Sequence, residues 1–551
     1  MGKYSVGIDY GTTSARALLV DLNTGEEIAV AVKEYPHGVM DTCLPDGRTK
    51  LGADWALQHP QDYLDVLKET IPEIIKKAGI KPKEIIGVGI DFTACTMMLV
   101  DETYTPLCIR EEFENNPHAY VKLWKHHSAQ EKADIITAKA EEMGYTKMLR
   151  RFGGRVSSEY LLPKIWQVLD EAPDIYEQTY KFIEAADWII YQLTGQERRS
   201  VCCAGYKGMW SKEDGYPAKA LLKELDPRLE NLVEEKLSKY VYPLGYKAGG
   251  VNDRAARLTG LEKGTAVAVS TIDAHAAVPA AGIVRPGKML MVIGTSTCHM
   301  LLGEEERIVP GMCGVVADGI IPGYYGFEAG QACVGDHFDW AIKKCIPSEY
   351  NKEAQTKGIN LHQLLTEKAQ TQRVGEHGLL ALDWWNGNRS ILMDASLSGM
   401  LIGFSLTTKP EDIYRALIEA TAFGTRIIIE AFENSGIHIS EIIACGGIVE
   451  KNPFLMQIYT DITGREIKIL DSLQAPALGS AMFGAVAAGK HEGGFDSIVE
   501  AAGRMAKVKD TAYKPDSRNT KVYDMIYYEY KKLYNYFGKE NIVMKVLKDM
   551  K

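Results

Sequence analysis

The sequence predicts a layered α/β protein made of two halves of similar design. Strand-like apolar runs alternate with helix-period stretches along the whole chain, the pattern of sheets covered by helices. One layout, a strand, a Gly-Thr-hydroxyl turn and a second strand, occurs at residues 4–21 and again at residues 288–302. The 551 residues, 46% hydrophobic and 25% charged, suffice to bury large cores in about two to four domains.

Residues 4–9 are a short β-prone run, Gly11-Thr12-Thr13-Ser14 is a turn, and residues 15–21 are a second run. Asn23-Thr24-Gly25 then turns the chain into a third strand over 27–35, so the N-terminus is a meander. Residues 85–91 form an apolar strand ending in an acid, and residues 266–270 form another, followed by Thr271-Ile272-Asp273-Ala274-His275 and an Ala-rich segment. In the second half, residues 288–293 and 298–302 flank the turn Gly294-Thr295-Ser296-Thr297.

Apolar residues at helical spacing predict a helix over 410–433, stopped by Ser435-Gly436. Residues 442–445 are a strand, Gly446-Gly447 a tight turn, and Asn452-Pro453 a cap and first-turn pair opening a helix that ends at Gly464. Residues 475–489, with Gly479 and Gly484, read as a small-residue helix that another backbone approaches closely. The tail carries Tyr527, Tyr528, Tyr530, Tyr534 and Tyr536, a stripe expected to pack a helix rather than to bind a ligand.

Composition excludes several functions. There are 63 Lys and Arg against 73 Asp and Glu, a net charge of −10, and no basic block, so neither a nucleic-acid partner nor a membrane surface is expected. No apolar run approaches the ~18–20 residues of a membrane helix. Asp9 falls where a secretory signal would place its apolar centre. The ten scattered cysteines include no Cys-x-x-Cys pair and read as buried small hydrophobes in a reducing compartment. A cytoplasmic protein is expected, and a homodimer is compatible with this composition.

The two Gly-Thr-hydroxyl turns offer backbone N–H groups and hydroxyls at hairpin tips, as a chain of phosphates requires. Each turn alone also suits plain structure. Together, with an acid before the first and a Gly-Gly strand-to-helix turn after the second, they point to nucleotide binding. No Gly-Lys-Ser or Gly-Lys-Thr exists for a Walker loop, and no Gly-x-Gly-x-x-Gly follows the first strand. A cradle of hairpins remains.

Gly7-Ile8-Asp9-Tyr10-Gly11-Thr12-Thr13-Ser14-Ala15-Arg16 resembles the first phosphate motif of the actin-like ATPase superfamily, and Ile293-Gly294-Thr295-Ser296 the second. Ala444-Cys445-Gly446-Gly447, with Asn452 and Gln457, resembles its adenosine motif. Within that superfamily the chain resembles the carbohydrate kinases, which include glycerol kinase and xylulokinase. Gly89-Ile90-Asp91-Phe92-Thr93-Ala94, Ala204-Gly205-Tyr206-Lys207-Gly208-Met209-Trp210 and Leu382-Asp383-Trp384-Trp385-Asn386-Gly387-Asn388-Arg389 are similar to the L-ribulokinase branch, as is Gly326-Phe327-Glu328-Ala329-Gly330-Gln331. Thr93-Ala94-Cys95 stands where xylulokinases and glycerol kinases usually carry a Met-His-Gly or similar triplet.

The resemblance implies two actin-like (ribonuclease H-like) domains with a catalytic cleft between them: a sugar-binding domain at 1–285 and an ATP-binding domain at 286–551. It implies ATP and Mg²⁺ as cofactors and phosphorylation of L-ribulose, or another ketopentose, to the 5-phosphate in L-arabinose catabolism. Phosphoryl transfer to an alcohol needs alignment, charge neutralisation and a proton acceptor, and an Asp of ordinary basicity suffices because the proton leaves late. Asp9, Asp91 and Asp273 all sit at strand ends.

By resemblance Asp273 is the catalytic base, although an Asp there also suits a helix cap, and Asp9 holds magnesium through water. Thr12, Thr13 and Arg16 face the ATP phosphates, Gly294, Thr295 and Ser296 close from the other lobe, and Gly446, Gly447 and Asn452 contact the adenosine. Lys207 and Glu328 are the expected donor and acceptor for the sugar, completed by Thr93, Ala94 and Asp273. The plainer reading of Lys207 is a surface lysine in a loop, and His275 and His299 read as structural.

Three alternatives remain: a xylulokinase- or glycerol kinase-type enzyme, a chaperone or filament ATPase of the superfamily, and a silent sugar sensor. A chaperone or filament ATPase has no use for the Asp273 segment or for Trp384-Trp385, and a sensor has no reason to retain Asp9 with Asp273.

Overall fold

The computed structural model describes residues 2–550. The meander is present as β1 (Tyr4–Tyr10), β2 (Ser14–Asp21) and β3 (Glu27–Glu34). Its first turn closes through the Gly11 N–H donating to the Ser14 carbonyl at 3.0 Å. β4 (Ile85–Phe92) lies parallel to β1 and is buried along its whole length, as expected of a strand covered on both faces. β5 (Lys247–Gly250) and β6 (Ala266–Ala268) complete the order β5-β6-β4-β1-β2-β3, and β7 (Thr271–Ile272) pairs with the end of β4.

Residues 266–270 do not form one strand. Ser270 leaves the ladder because its hydroxyl donates to Asp187 Oδ1 at 2.7 Å and its carbonyl accepts from the Ser200 hydroxyl at 2.6 Å. The chain re-enters as β7 and delivers Asp273 to the start of a helix.

A second seven-stranded sheet contains β8 (Lys288–Ile293), β9 (Thr297–Gly303), β10 (Gly314–Ala317), β11 (Tyr325–Gln331), β12 (Glu441–Cys445), β13 (Ile467–Leu470) and β14 (Val508–Tyr513). Its order is β10-β11-β9-β8-β12-β13-β14. From β11 to β14 the pairings run antiparallel, antiparallel, parallel, parallel, antiparallel, the same series met from β3 to β5 in the first sheet. The hairpin turns thus occupy equivalent places in two sheets of one topology, β10 being an added edge strand.

Five helices place the remaining residues of interest. α1 (Val201–Lys207) is capped by the Ser200 hydroxyl, and α2 (Asp273–Ala280) follows β7 directly. α3 (Pro410–Asn434) begins with Pro in its first turn and with the Asp412 carboxylate accepting from the Lys409 N–H at 2.8 Å. α4 (Gly447–Lys451) and α5 (Pro453–Thr463) follow β12.

α6 (Ala475–Ala488) packs on the first sheet although it follows the second in the chain. A Cβ on Gly7 would lie 1.7 Å from the Ala477 carbonyl oxygen, and one on Gly479 1.7 Å from that of Ala276, so backbones touch where side chains would otherwise hold them apart. α7 (Ser517–Asn535) buries Tyr523, Tyr527, Tyr530 and Tyr534 against Phe423 of α3 and its surroundings, while Tyr528 and Tyr536 face solvent. Trp384 is likewise a core residue, edge-on to Tyr534. A third core forms mainly from the chain between β4 and β5, around Tyr160 and Trp166, joined by Met40, Leu44 and Leu57 from before β4. Among the described residues no helix is long and apolar enough to cross a membrane.

Candidate active site

Three carboxylates meet at the carboxyl ends of adjacent parallel strands. Asp9 of β1 and Asp91 of β4 share a register, and β7, paired with β4 through Thr271 and Asp91, ends one residue before Asp273. Asp91 is fully buried; its Oδ2 accepts from the Ser480 hydroxyl at 2.6 Å, and its buried Oδ1 has no partner. Burial, then the charge of Asp9, pushes the Asp91 carboxyl well above the ordinary range. Burial also raises Asp9, against the opposing charge of the Arg16 guanidinium 3.5 Å away. Asp273 is pushed up to about 7 by burial and by Asp9, against the Ala274 N–H, which donates to its Oδ1 at 2.7 Å. That bond makes Asp273 part of the helix start without excluding its second oxygen from other work.

The first hairpin tip is braced from behind. Gln58 donates to the Thr12 carbonyl at 2.7 Å, Trp124 Nε1 to the Thr12 hydroxyl at 3.1 Å, and the Tyr35 N–H to the Thr13 carbonyl at 3.0 Å. Thr13 is exposed at the tip, and the Arg16 Nε is buried without a partner.

The second hairpin meets the Gly-Gly turn. Gly294 donates to the Ser296 carbonyl at 2.9 Å, and Thr295 is exposed at the tip. A Cβ on Gly446, whose φ is 114°, would lie 2.2 Å from the Ile293 carbonyl oxygen, so only glycine lets β12 close against β8 here. A Cβ on Gly447 would meet open space. Asn452 spends its side chain on the fold: Oδ1 caps α5 through the Leu455 N–H at 3.0 Å, and Nδ2 reaches Thr366 at 3.4 Å. Gln457 does likewise, donating to Asp461 and to the Lys514 carbonyl.

Lys207 is the last residue of α1 and is buried, not a surface lysine in a loop. Its ammonium lies 3.7 Å from Glu159 Oε2 and 3.8 Å from Glu328 Oε1, beyond hydrogen-bond reach of either, and 5.5 Å above the Tyr160 ring. Burial alone would lower the Lys207 pKa, but Glu328 and Glu159 more than offset it, so the group stays charged. Burial would raise Glu328, yet Lys207 and His275 hold it at about 2. Thr93 is buried with its hydroxyl against that of Thr96 at 2.8 Å, and Ala94 is half-buried beside it.

Three residues join this cluster that no motif marked for it. Glu159 comes from an irregular loop; Arg389 and Lys207 hold its carboxyl at about 2 against the effect of burial. The Arg389 guanidinium lies 3.1 Å from Glu159. His275, expected to be structural, stacks on Tyr206 at 4.2 Å and faces Glu328 at 3.4 Å; burial opposes its charge, but Cys202 and Glu328 raise it to about 10. His299 fits its structural reading: it is buried, and burial lowers its pKa to about 3. His37, His59 and Asp62 also cluster, but Asp62 accepts from both the His37 ring and its N–H, and the two rings stack instead of converging.

The model of the FGGY family of carbohydrate kinases, N-terminal domain, matches residues 4–279, and that of the C-terminal domain matches residues 289–488. The chain is 60% identical over 538 residues to a ribulokinase of Bacillus licheniformis, covering 98% of this chain and 97% of that one. It is 56% identical over 550 residues to a ribulokinase of Geobacillus thermodenitrificans, covering 100% and 97%. Among solved structures, a xylulose kinase from Rhodospirillum rubrum superposes with a TM-score of 0.77 at 22% identity, covering 97% and 98% of the two chains. A Plasmodium falciparum glycerol kinase with ADP superposes with a TM-score of 0.74 at 16% identity, covering 97% and 98%. At such identities the two structures establish the shared fold.

Proposed function

The chain belongs to the FGGY family of carbohydrate kinases, and from that premise we propose that it transfers the terminal phosphoryl group of ATP to L-ribulose, forming the 5-phosphate. The half up to residue 285 supplies most of the sugar site and the half from residue 286 most of the nucleotide site, with Glu328 and the first phosphate turn each reaching across to the other. The observation that carries this reading is a raised carboxyl, Asp273, that feels the charge of Glu328, with the buried Lys207 standing 3.8 Å from that same Glu328 and 3.7 Å from Glu159, beyond hydrogen-bond reach of both.

Lys207 donates to, and Glu328 accepts from, the oxygen groups of the ketose, with Thr93 and Ala94 shaping the wall. The sugar is thereby aimed so that its terminal hydroxyl meets Asp273, which orients it and takes its proton as the bond to phosphorus forms. Backbone N–H groups and hydroxyls at Thr12, Thr13 and Gly294 to Ser296, with Arg16, steady the phosphates, and Gly446, Gly447 and Asn452 border the adenosine.

The carboxylate of Asp9, with the unpartnered buried oxygen of Asp91 beside it, suits a hard divalent cation. Magnesium held there would neutralise charge on the transferring phosphoryl oxygens. Closing the halves on the sugar excludes water and limits idle ATP hydrolysis. The ten free cysteines support a cytoplasmic setting.

A coupled ADP-release assay over pentuloses, pentoses, polyols and glycerol tests the reading. L-ribulose should give the largest sugar-stimulated turnover. Stimulation by glycerol or D-xylulose alone would replace this substrate with theirs.

A further inference from the structure

Five charged groups alternate in sign across the cleft. Arg389 Nη2 lies 3.1 Å from Glu159 Oε1, Glu159 Oε2 lies 3.7 Å from Lys207 Nζ, Lys207 Nζ lies 3.8 Å from Glu328 Oε1, and Glu328 Oε2 lies 3.4 Å from His275 Nε2. Each carboxylate has its outer oxygen turned to a cation and its inner oxygen turned to the lysine. The arrangement is nearly symmetric about Lys207.

A buried ammonium beside one carboxylate closes to contact, at about 2.7–2.9 Å, because a charge-assisted hydrogen bond is the best replacement for lost water. Lys207 does not do this. It stands almost equidistant between two carboxylates and touches neither. Arg389 holds the far oxygen of Glu159 by a hydrogen bond at 3.1 Å, and the charge of His275, 3.4 Å from the far oxygen of Glu328 without a hydrogen bond, draws that carboxylate away from the lysine.

We propose that Glu159, anchored by Arg389, is a positioning residue that holds Lys207 off Glu328, so that the ammonium and the Glu328 carboxylate both keep their hydrogen-bonding capacity for the sugar. The proposal rests on the reading of Lys207 and Glu328 as sugar-binding groups. It adds a requirement that the halves be engaged: Glu159, Lys207 and His275 precede residue 286, whereas Glu328 and Arg389 follow it. The balance about Lys207 exists only where the two groups face each other across the cleft.

Glu159→Gln removes the counterweight. Lys207 then has Glu328 as its one close carboxylate, the two close on each other, and the sugar must break that pair to bind. The KM for the ketose should rise about 10- to 100-fold, the range set by losing a hydrogen bond to a charged group, while the KM for ATP stays within about twofold. Arg389→Lys keeps the charge but loses the planar fork, so it should move the sugar KM in the same direction by a smaller factor, and it serves as the test if Glu159→Gln does not fold. In a Lys207→Ala background, Glu159→Gln should have no further effect on the sugar KM. Calorimetric titration of the sugar onto each variant reads the affinity apart from turnover.

If Lys207→Ala weakens sugar binding while Glu159→Gln and Arg389→Lys leave it unchanged, the positioning role is wrong and the sugar site stands. If Lys207→Ala itself leaves sugar binding unchanged, the sugar site is wrong and the positioning role falls with it. Parallel losses toward sugar and ATP together would also overturn the proposal, as the mark of a merely structural contact.

Discussion

Asp9 and Asp91 occupy the same register on adjacent parallel strands, so two carboxylates share one buried site. Neither ionises as readily as it would in water: burial raises both, and the charge of Asp9 raises Asp91 further. Asp273, delivered by β7, feels Asp9 as well, and its carboxyl is pushed up to about 7. A phosphoryl-transfer site gains from such a cluster a place for a cation and, beside it, a base poised near neutral pH.

Asp273→Asn should reduce sugar-dependent turnover by about 10²–10⁴-fold, the usual worth of a positioned general base. Nucleotide binding, measured by titration calorimetry, should persist. Near-normal phosphorylation by this variant would remove Asp273 from its role.

The pH dependence follows from the same carboxyl. It accepts a proton only when ionised, so turnover should climb about tenfold per pH unit up to about pH 7 and level off above it. Folding responds in the opposite sense. A carboxyl raised from its ordinary value of 3.8 to about 7 binds its proton more tightly in the folded state, so its contribution to stability is complete below the lower value and is lost as pH rises through the higher one. Asp273→Asn should therefore raise the melting temperature more at about pH 8 than at about pH 4. A melting difference independent of pH would contradict the assignment.

Gly446 and Gly447 should separate fold from function. Gly446→Leu forces a side chain toward the Ile293 carbonyl at a φ of 114° and should unfold this region. Gly447→Leu places its side chain in open space, so circular dichroism should stay native while nucleotide affinity falls about 100-fold or more. Retained ATP affinity in Gly447→Leu would move the adenosine elsewhere.

Gly479→Ala tests the contact between the backbones of α6 and α2. Its Cβ would lie 1.7 Å from the Ala276 carbonyl oxygen, and a backbone atom cannot swing aside. A loss of about 3 kcal/mol or more is expected in urea unfolding, with activity falling too, because Ala276 shares its helix with Asp273. An unchanged unfolding midpoint would show that the helices can separate without cost.

Local signals were legible. The hairpins were readable because Gly-Thr turns between apolar runs are written within a dozen or so neighbouring residues, and Asp9, Asp91 and Asp273 because each ends such a run. The small residues of α6 announced a close approach, but not that its partner is the first sheet. Lys207 could be read either way, since burial at a helix end is a property of the surrounding core and not of its neighbours in the chain. Glu159 carried no signal, as it sits in an irregular loop and acquires its role only where Arg389, far along the chain, reaches it. Asn452 shows the converse: its motif was plain, and the structure uses its side chain as a helix cap.

The most direct measurement is a crystal structure with L-ribulose and a non-hydrolysable ATP analogue bound together. The triphosphate should lie between the turns at Gly11 to Ser14 and Gly294 to Ser296, with an Asp273 oxygen within hydrogen-bond distance of the terminal sugar hydroxyl. A triphosphate seated elsewhere, or an Asp273 carboxyl turned away from that hydroxyl, would contradict the account.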